Sequence, residues 1–394
     1  MRFRSLSISL GVLALLAMLI RPAAQAQNSQ PRYTVIDLGT LGGTYSNAYG
    51  PNVVGWVAGN SNLALNGPQH AFLWHGFGQL HDLGTLDGSK CPACNSVAYW
   101  PNAYGEAAIT SETSNTDPNG EDFCGYGTHH QCLGAIWRNG FMTALPTLPG
   151  GNNATAYGLN DQGEAIGYSE NGTSDSTCST GTPYQVLRFE AATWGPKGEI
   201  QELHPLPGDT VGFANGVNNS GQVVGASGLC SNTSAVTVTS PHAVLWEKDG
   251  SPTDLGHLEG TAPGLYNMAS SVNNQGEVVG AAQSTDGTIH AFLWTRETGM
   301  QDYGAFPGAV VTVPPVVNTI NNEGEIVGVA IDGTGAETAL IWRGKAPVDL
   351  NTLIPADSGW YLQCAQGVND AGEISGFGLI NGEVHAFLAI PVHE

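Results

Sequence analysis

Six of the seven cysteines and one pair of adjacent histidines are the residues whose types and spacing could most directly do chemistry. Cys91-x-x-Cys94, Cys124 and His129-His130-x-Cys132 put soft ligands in one neighbourhood, as zinc sites do. The second half lacks a tight Cys-x-x-Cys spacing, and the N-terminus points to an oxidising compartment, where paired cysteines become disulfides. We therefore expect disulfides and no metal or other cofactor. Cys178 should join Cys230, while Cys91 and Cys94 pair with each other or exchange with the Cys124/Cys132 pair. Cys364 falls in a strand.

Other candidate groups recur too regularly for catalysis. His70, His242, His290 and His385 stand at equivalent points of a repeat, whereas an active site needs one special constellation. A structural hydrogen bond at a strand start explains them better. Glu106, Glu164, Glu277, Glu325 and Glu373 recur in the same way and are expected on a solvated rim. No Gly-x-Ser-x-Gly elbow, His-Glu-x-x-His helix or phosphate-binding loop is present.

The elements that position these groups follow from the repeat. Asn-x-x-Gly, followed by a short β-branched run and usually a second Gly, starts at Asn52, Asn102, Asn160, Asn218, Asn273, Asn321 and Asn369. Steps of 48 to 58 residues lie within or a little beyond the ~40–50 of propeller blades. The first six copies have a run ending in Trp, such as His290-Ala-Phe-Leu-Trp294, and an Asp-Leu-Gly-like run. The seventh has Ala389 in place of the Trp. With the strand before the Asn, each repeat offers four strands, a to d. Asn opening the turn and Gly in the left-handed region suit a type I turn with a bulge, so a and b form a hairpin.

The last repeat lacks its Asp-Leu-Gly strand, and Tyr33-Thr-Val-Ile-Asp37-Leu-Gly39 has no repeat ahead of it. The expected fold is therefore all-β: a seven-bladed β-propeller of four-stranded antiparallel blades, closed when the N-terminal strand pairs with the last blade. Charged residues at 12% with apolar residues at 41% and abundant Gly and Pro agree with many short strands rather than disorder or helix.

Ahead of the repeats, Arg2 and Arg4, an apolar run from Ile8 to Ile20 and Ala24-Gln25-Ala26 read as a cleavable signal peptide over residues 1–26. Residues 27–394 are then one secreted domain, extracellular or periplasmic, without a membrane span and expected to be a monomer. The net charge of -22, three units more negative once Arg2, Arg4 and Arg21 leave, excludes nucleic acid as a partner.

Gly-Val-Asn-Asn-x-Gly-x-Val-Val-Gly, His-Ala-Phe-Leu-Trp and Asp-Leu-Gly-Thr-Leu-Gly-Gly together closely resemble the HAF-repeat family of extracellular bacterial proteins. The resemblance spans roughly Tyr33 to Leu388; repeats two and three depart from it, with Gly134-Ala-Ile and Ala191-Ala-Thr. It implies export and a repeated β architecture, and brings no catalytic motif.

In such a ring the b-to-c and d-to-a connections share one face. The b-to-c segments Ile109 to Leu133, Gly167 to Glu190 and Gly225 to His242 are long and belong to neighbouring repeats, so binding is expected there. Glu121, Tyr126, His129, His130 and Trp360 are the candidate binding residues. The leading expectation is a non-enzymatic binding or scaffold module for a surface glycan or protein. The alternative is a glycan-active or other hydrolytic enzyme using paired carboxylates on that face.

Overall fold

The computed structural model describes residues 32–178, 185–234, 240–315 and 318–392; the expected signal peptide lies outside the described residues. Each Asn-x-x-Gly motif forms the hairpin its chemistry dictates. At the first, Gly55 N–H donates to Asn52 O at 3.0 Å, Asn52 N–H donates to Trp56 O at 2.9 Å, and Gly55 has φ of 76°. The Asn52 side-chain oxygen accepts from Val54 N–H at 3.1 Å and Trp56 N–H at 2.9 Å, which fixes the turn from within. The second Gly of the motif serves close strand approach: a Cβ at Gly225 would lie 2.0 Å from Phe213 O, and at Gly376 1.9 Å from Cys364 O.

Around each turn the strands pair antiparallel in sets of four. Repeat two comprises Ser96–Pro101, Ala107–Thr116, His130–Arg138 and Phe141–Ala144, bonded in that order. Repeat three comprises Ala154–Leu159, Ala165–Ser174, Leu187–Trp194 and Ile200–Leu203. The others follow the same order. In the last, Trp360–Val368, Ile374–Ile380 and Glu383–Val392 are completed by Arg32–Gly39, which runs antiparallel from Arg32 opposite Val392 to Gly39 opposite Ala386. Among the described residues helix is confined to short 3-10 turns such as Gly88–Lys90, and none is long and apolar enough to cross a membrane.

The repeated Trp fills the space between neighbouring sets. Trp194 and Trp246 are fully buried; their indole N–H groups donate to Pro146 O at 2.8 Å and His204 O at 2.7 Å, each in the repeat before. The repeated His is structural, as its symmetry suggested. His70 meets Asp82 at 2.9 Å, His290 meets Asp302 at 3.0 Å, and His385 meets Asp37 at 2.9 Å, in the strand the N-terminus contributes. His242 differs, bonding Asp209 at 2.8 Å.

The repeated Glu is not a free solvated rim. Each is half-buried and accepts from the side-chain amide of its own turn Asn, as Glu277 does from Asn273 at 2.7 Å, because that buried amide needs acceptors.

The same amide also reaches the next repeat. Asn52 Nδ2 donates to Asn102 O at 2.9 Å, Asn102 to Asn160 O at 3.3 Å, Asn160 to Asn218 O at 3.1 Å and Asn218 to Asn273 O at 2.9 Å. Asn273 continues to Asn321 O at 3.1 Å, Asn321 to Asn369 O at 2.9 Å, and Asn369 returns to Asn52 O at 2.9 Å. All seven asparagines are buried. Asn273→Ala should cost about 2–4 kcal/mol, because two backbone N–H groups and a neighbouring carbonyl lose their partner. Asn273→Asp should not restore it, since the carboxylate faces Glu277. Urea midpoints followed by Trp fluorescence check this; an unchanged midpoint would refute it.

Candidate functional site

Three residues before the turn Asn, strand a carries Tyr49, Tyr99 and Tyr157 in repeats one to three, but Asn215, Ser270, Asn318 and Gln366 in the rest. The polar ones turn sideways to the next strand a: Asn215 donates to Ala269 O at 2.9 Å, and Ser270 to Pro314 O at 3.0 Å. The tyrosines stack instead. Ring centroids lie 4.9 Å apart for Tyr49 and Tyr99, 4.9 Å for Tyr99 and Tyr157, and 5.5 Å for Tyr157 and Tyr168 of strand b.

The long connection of repeat two is folded over this aromatic row by its own acids. Asp117 Oδ1 accepts from Asn119 N–H at 2.8 Å and Glu121 N–H at 2.9 Å, and Oδ2 accepts from Asn153 Nδ2 at 2.7 Å. Glu121 then crosses to the connection of repeat three, accepting from the N–H of Val186 and, at 3.0 Å, of Leu187. Disulfides Cys91–Cys94, Cys124–Cys132 and Cys178–Cys230 fix the connections; the last ties repeat three to repeat four. Of the two arrangements open from the sequence, neighbours pair. Cys364 is a buried thiol in strand a of the last repeat.

These contacts enclose a cavity of about 270 Å³ lined by Val97, Tyr99, Thr110, Phe123, Cys124, Gly125, Tyr126, Thr155, Tyr157 and Tyr168. Its phenols are held neutral. Burial pushes Tyr99, Tyr126, Tyr157 and Tyr168 above the usual phenol range, aided by the Glu112 carboxylate at Tyr126 and by Tyr157, then Glu170, at Tyr168. No Lys or Arg is among the lining residues.

The nearby carboxylates are committed elsewhere. Glu112 accepts from Asn95 N–H at 2.7 Å and from the Thr128 hydroxyl. Glu170 accepts from Asn152 N–H at 2.9 Å and Asn153 N–H at 3.0 Å, and the Gln185 amide bridges it to Glu121, so burial first and then the Glu121 charge push it well above the usual range. Both carboxylates are taken up by amides, and the Gln185 amide ties Glu121 of the repeat-two connection to Glu170 of strand Ala165–Ser174.

Among the expected binding residues, only Tyr126 lines the cavity. Glu121 is fully buried, because its carboxylate is consumed by backbone amides of the adjoining loop. His129 is exposed with φ of 56°, its Nδ1 2.9 Å from Gly120 O. His130 sits beside Cys91 and Cys94, one ligand atom of each lying within 4.8 Å of the others, but those sulfurs form a disulfide and offer no thiolate. Trp360 packs edge-on against Phe387 at 6.0 Å, in the core of the last repeat. Tyr99, Phe123, Tyr157 and Tyr168 were missed; the shared position three before the turn Asn could have revealed two of them.

No protein-family model and no curated protein sequence matches the chain. Among solved structures, puromycin hydrolase aligns with a TM-score of 0.55 at 12% identity, over 89% of this chain and 52% of that one. An S511A mutant of puromycin hydrolase complexed with PGG gives 0.52 at 12% identity, over 85% and 50%. Oligogalacturonate lyase in complex with manganese gives 0.48 at 12% identity, over 92% and 99%. The chain thus spans about half the length of the puromycin hydrolase chains. At this identity the likeness is one of fold: all-β, propeller-like and built of four-stranded antiparallel sheets.

Proposed function

We propose that the chain is a closed seven-bladed β-propeller which leaves the cell and acts there, as a monomer, as a non-enzymatic binding module. Closure is supported by the return of the Asn369 amide to Asn52 and by Arg32–Gly39 lying beside Glu383–Val392. Export is supported by the leader-like residues 1–26 and by three disulfides, which suit an oxidising compartment. The repeat signature supports a kinship with the HAF-repeat proteins.

The tyrosine-lined cavity carries the binding reading. It is concave and aromatic with a few hydroxyls, as small-ligand sites are. The ligand is a group small enough for about 270 Å³, presented on a surface glycan or protein. A glycan array combined with a polysaccharide-degradation screen tests this. Wild type should bind without turnover, and Tyr126→Ala should weaken binding about tenfold or more while leaving the unfolding midpoint nearly unchanged. Full affinity in that variant removes the cavity from the function, and turnover without stable binding replaces the module with an enzyme.

A further inference from the structure

We propose that the cavity takes an organic cation, an alkylated ammonium group, with the rings of Tyr99, Phe123, Tyr126, Tyr157 and Tyr168 as its cage. This rests on the binding reading above and names its ligand class. Three observations meet here.

The first is the cage. Phe123 lies 5.0 Å from Tyr168 and tilted to it, and Tyr157 stands edge-on to Tyr168, so aromatic rings at different angles line the space. Electron-rich faces attract a cation within about 6 Å, most strongly when it is desolvated. At ~30 Å³ per water, a cavity of about 270 Å³ has room for a trimethylammonium group and a short tail.

The second is the field. The lining has no cationic side chain, and the Glu112 carboxylate lies near enough to act on Tyr126. The chain as a whole carries -22. An anion or a guanidinium-seeking phosphate is disfavoured here; a cation is attracted.

The third is what the lining omits. A neutral sugar is usually held by planar carboxylate, amide or guanidinium groups bridging its hydroxyls, and the lining side chains offer only phenol and threonine hydroxyls. An alkylated ammonium donates few or no hydrogen bonds and asks for none of those groups.

Isothermal titration of the full chain with tetramethylammonium, choline and N-trimethyllysine, against the neutral choline isostere 3,3-dimethylbutan-1-ol, tests the proposal. Phosphocholine is a further arm, separating phosphate-bearing head groups from modified side chains. The cations should bind at least tenfold more tightly than the isostere. Tyr126→Phe should keep most of the affinity, and Tyr126→Ala should lose about tenfold. Circular dichroism of both variants confirms folding, and Phe123→Ala serves if Tyr126→Ala misfolds. Equal affinity for the isostere overturns the cation assignment, as does binding of neutral sugars alone; both leave the cavity a binding site. If no probe binds and array affinity is indifferent to Tyr126 and Phe123, the binding reading itself fails.

Discussion

A chain shortened to begin at Thr40 should lose cooperative folding altogether. Removing Arg32–Gly39 strips the outer strand from Glu383–Val392 and takes from the core Tyr33, 2% exposed, and Leu38, 4% exposed, with half-buried Val35 and Ile36. At about 1.5–3 kcal/mol for each large apolar side chain the loss is on the order of 6–10 kcal/mol as an upper figure, comparable to the whole stability of a typical domain. His385 would also lose Asp37. The exposed edge of Glu383–Val392 would then favour aggregation. Near-UV circular dichroism and urea unfolding read the result. A peptide spanning residues 27–39, added in trans, should restore the signal by strand addition. Normal unfolding of the shortened chain would show that this strand is dispensable.

The second large effect is one of pH. Glu190 is 5% exposed and has one carboxyl oxygen with no partner; burial first, then the nearby Glu202 carboxylate, pushes it up to about 8. The folded state therefore holds this proton more tightly than the unfolded chain. Its favourable contribution is complete below about pH 4.5 and drains away as pH rises to about 8. Glu170 acts in the same direction. Glu190→Gln mimics the neutral acid, so it should be almost neutral at pH 4.5 and more stable than wild type by about 2–4 kcal/mol above pH 8. Urea midpoints at unit steps of pH from 5 to 9 measure the divergence, and parallel curves would refute it. The opposite slope in strong acid belongs to groups such as Asp175, held below the usual carboxylate range first by the Thr177 hydroxyl and backbone N–H.

The architecture was legible because its determinants are local and repeated. The turn Asn and Gly act within five residues of each other, and a strand of three to ten residues follows from the runs between them. The role of His70, His290 and His385 was legible for the same reason, since symmetry alone argued against catalysis. The site was less so. Glu121 reads as a loop acid, yet its partners lie 65 and 66 residues away in a different long connection, and nothing local announces that its carboxylate will be covered. Tyr126 stood out as a residue off the repeat, whereas Tyr99 and Tyr157 were hidden inside repeats whose other copies carry Asn, Ser or Gln at that point. Trp360, another residue off the repeat, is half-buried against Phe387 and away from the cavity.

One consequence of the Arg32–Gly39 pairing concerns time. These residues are synthesised long before their partner Glu383–Val392. At about 5–20 residues per second the early segment waits tens of seconds with its bonding edge unsatisfied. The join between the first described strand and the last is thus the pairing that waits longest on synthesis, since each other set draws its four strands from one continuous stretch of chain.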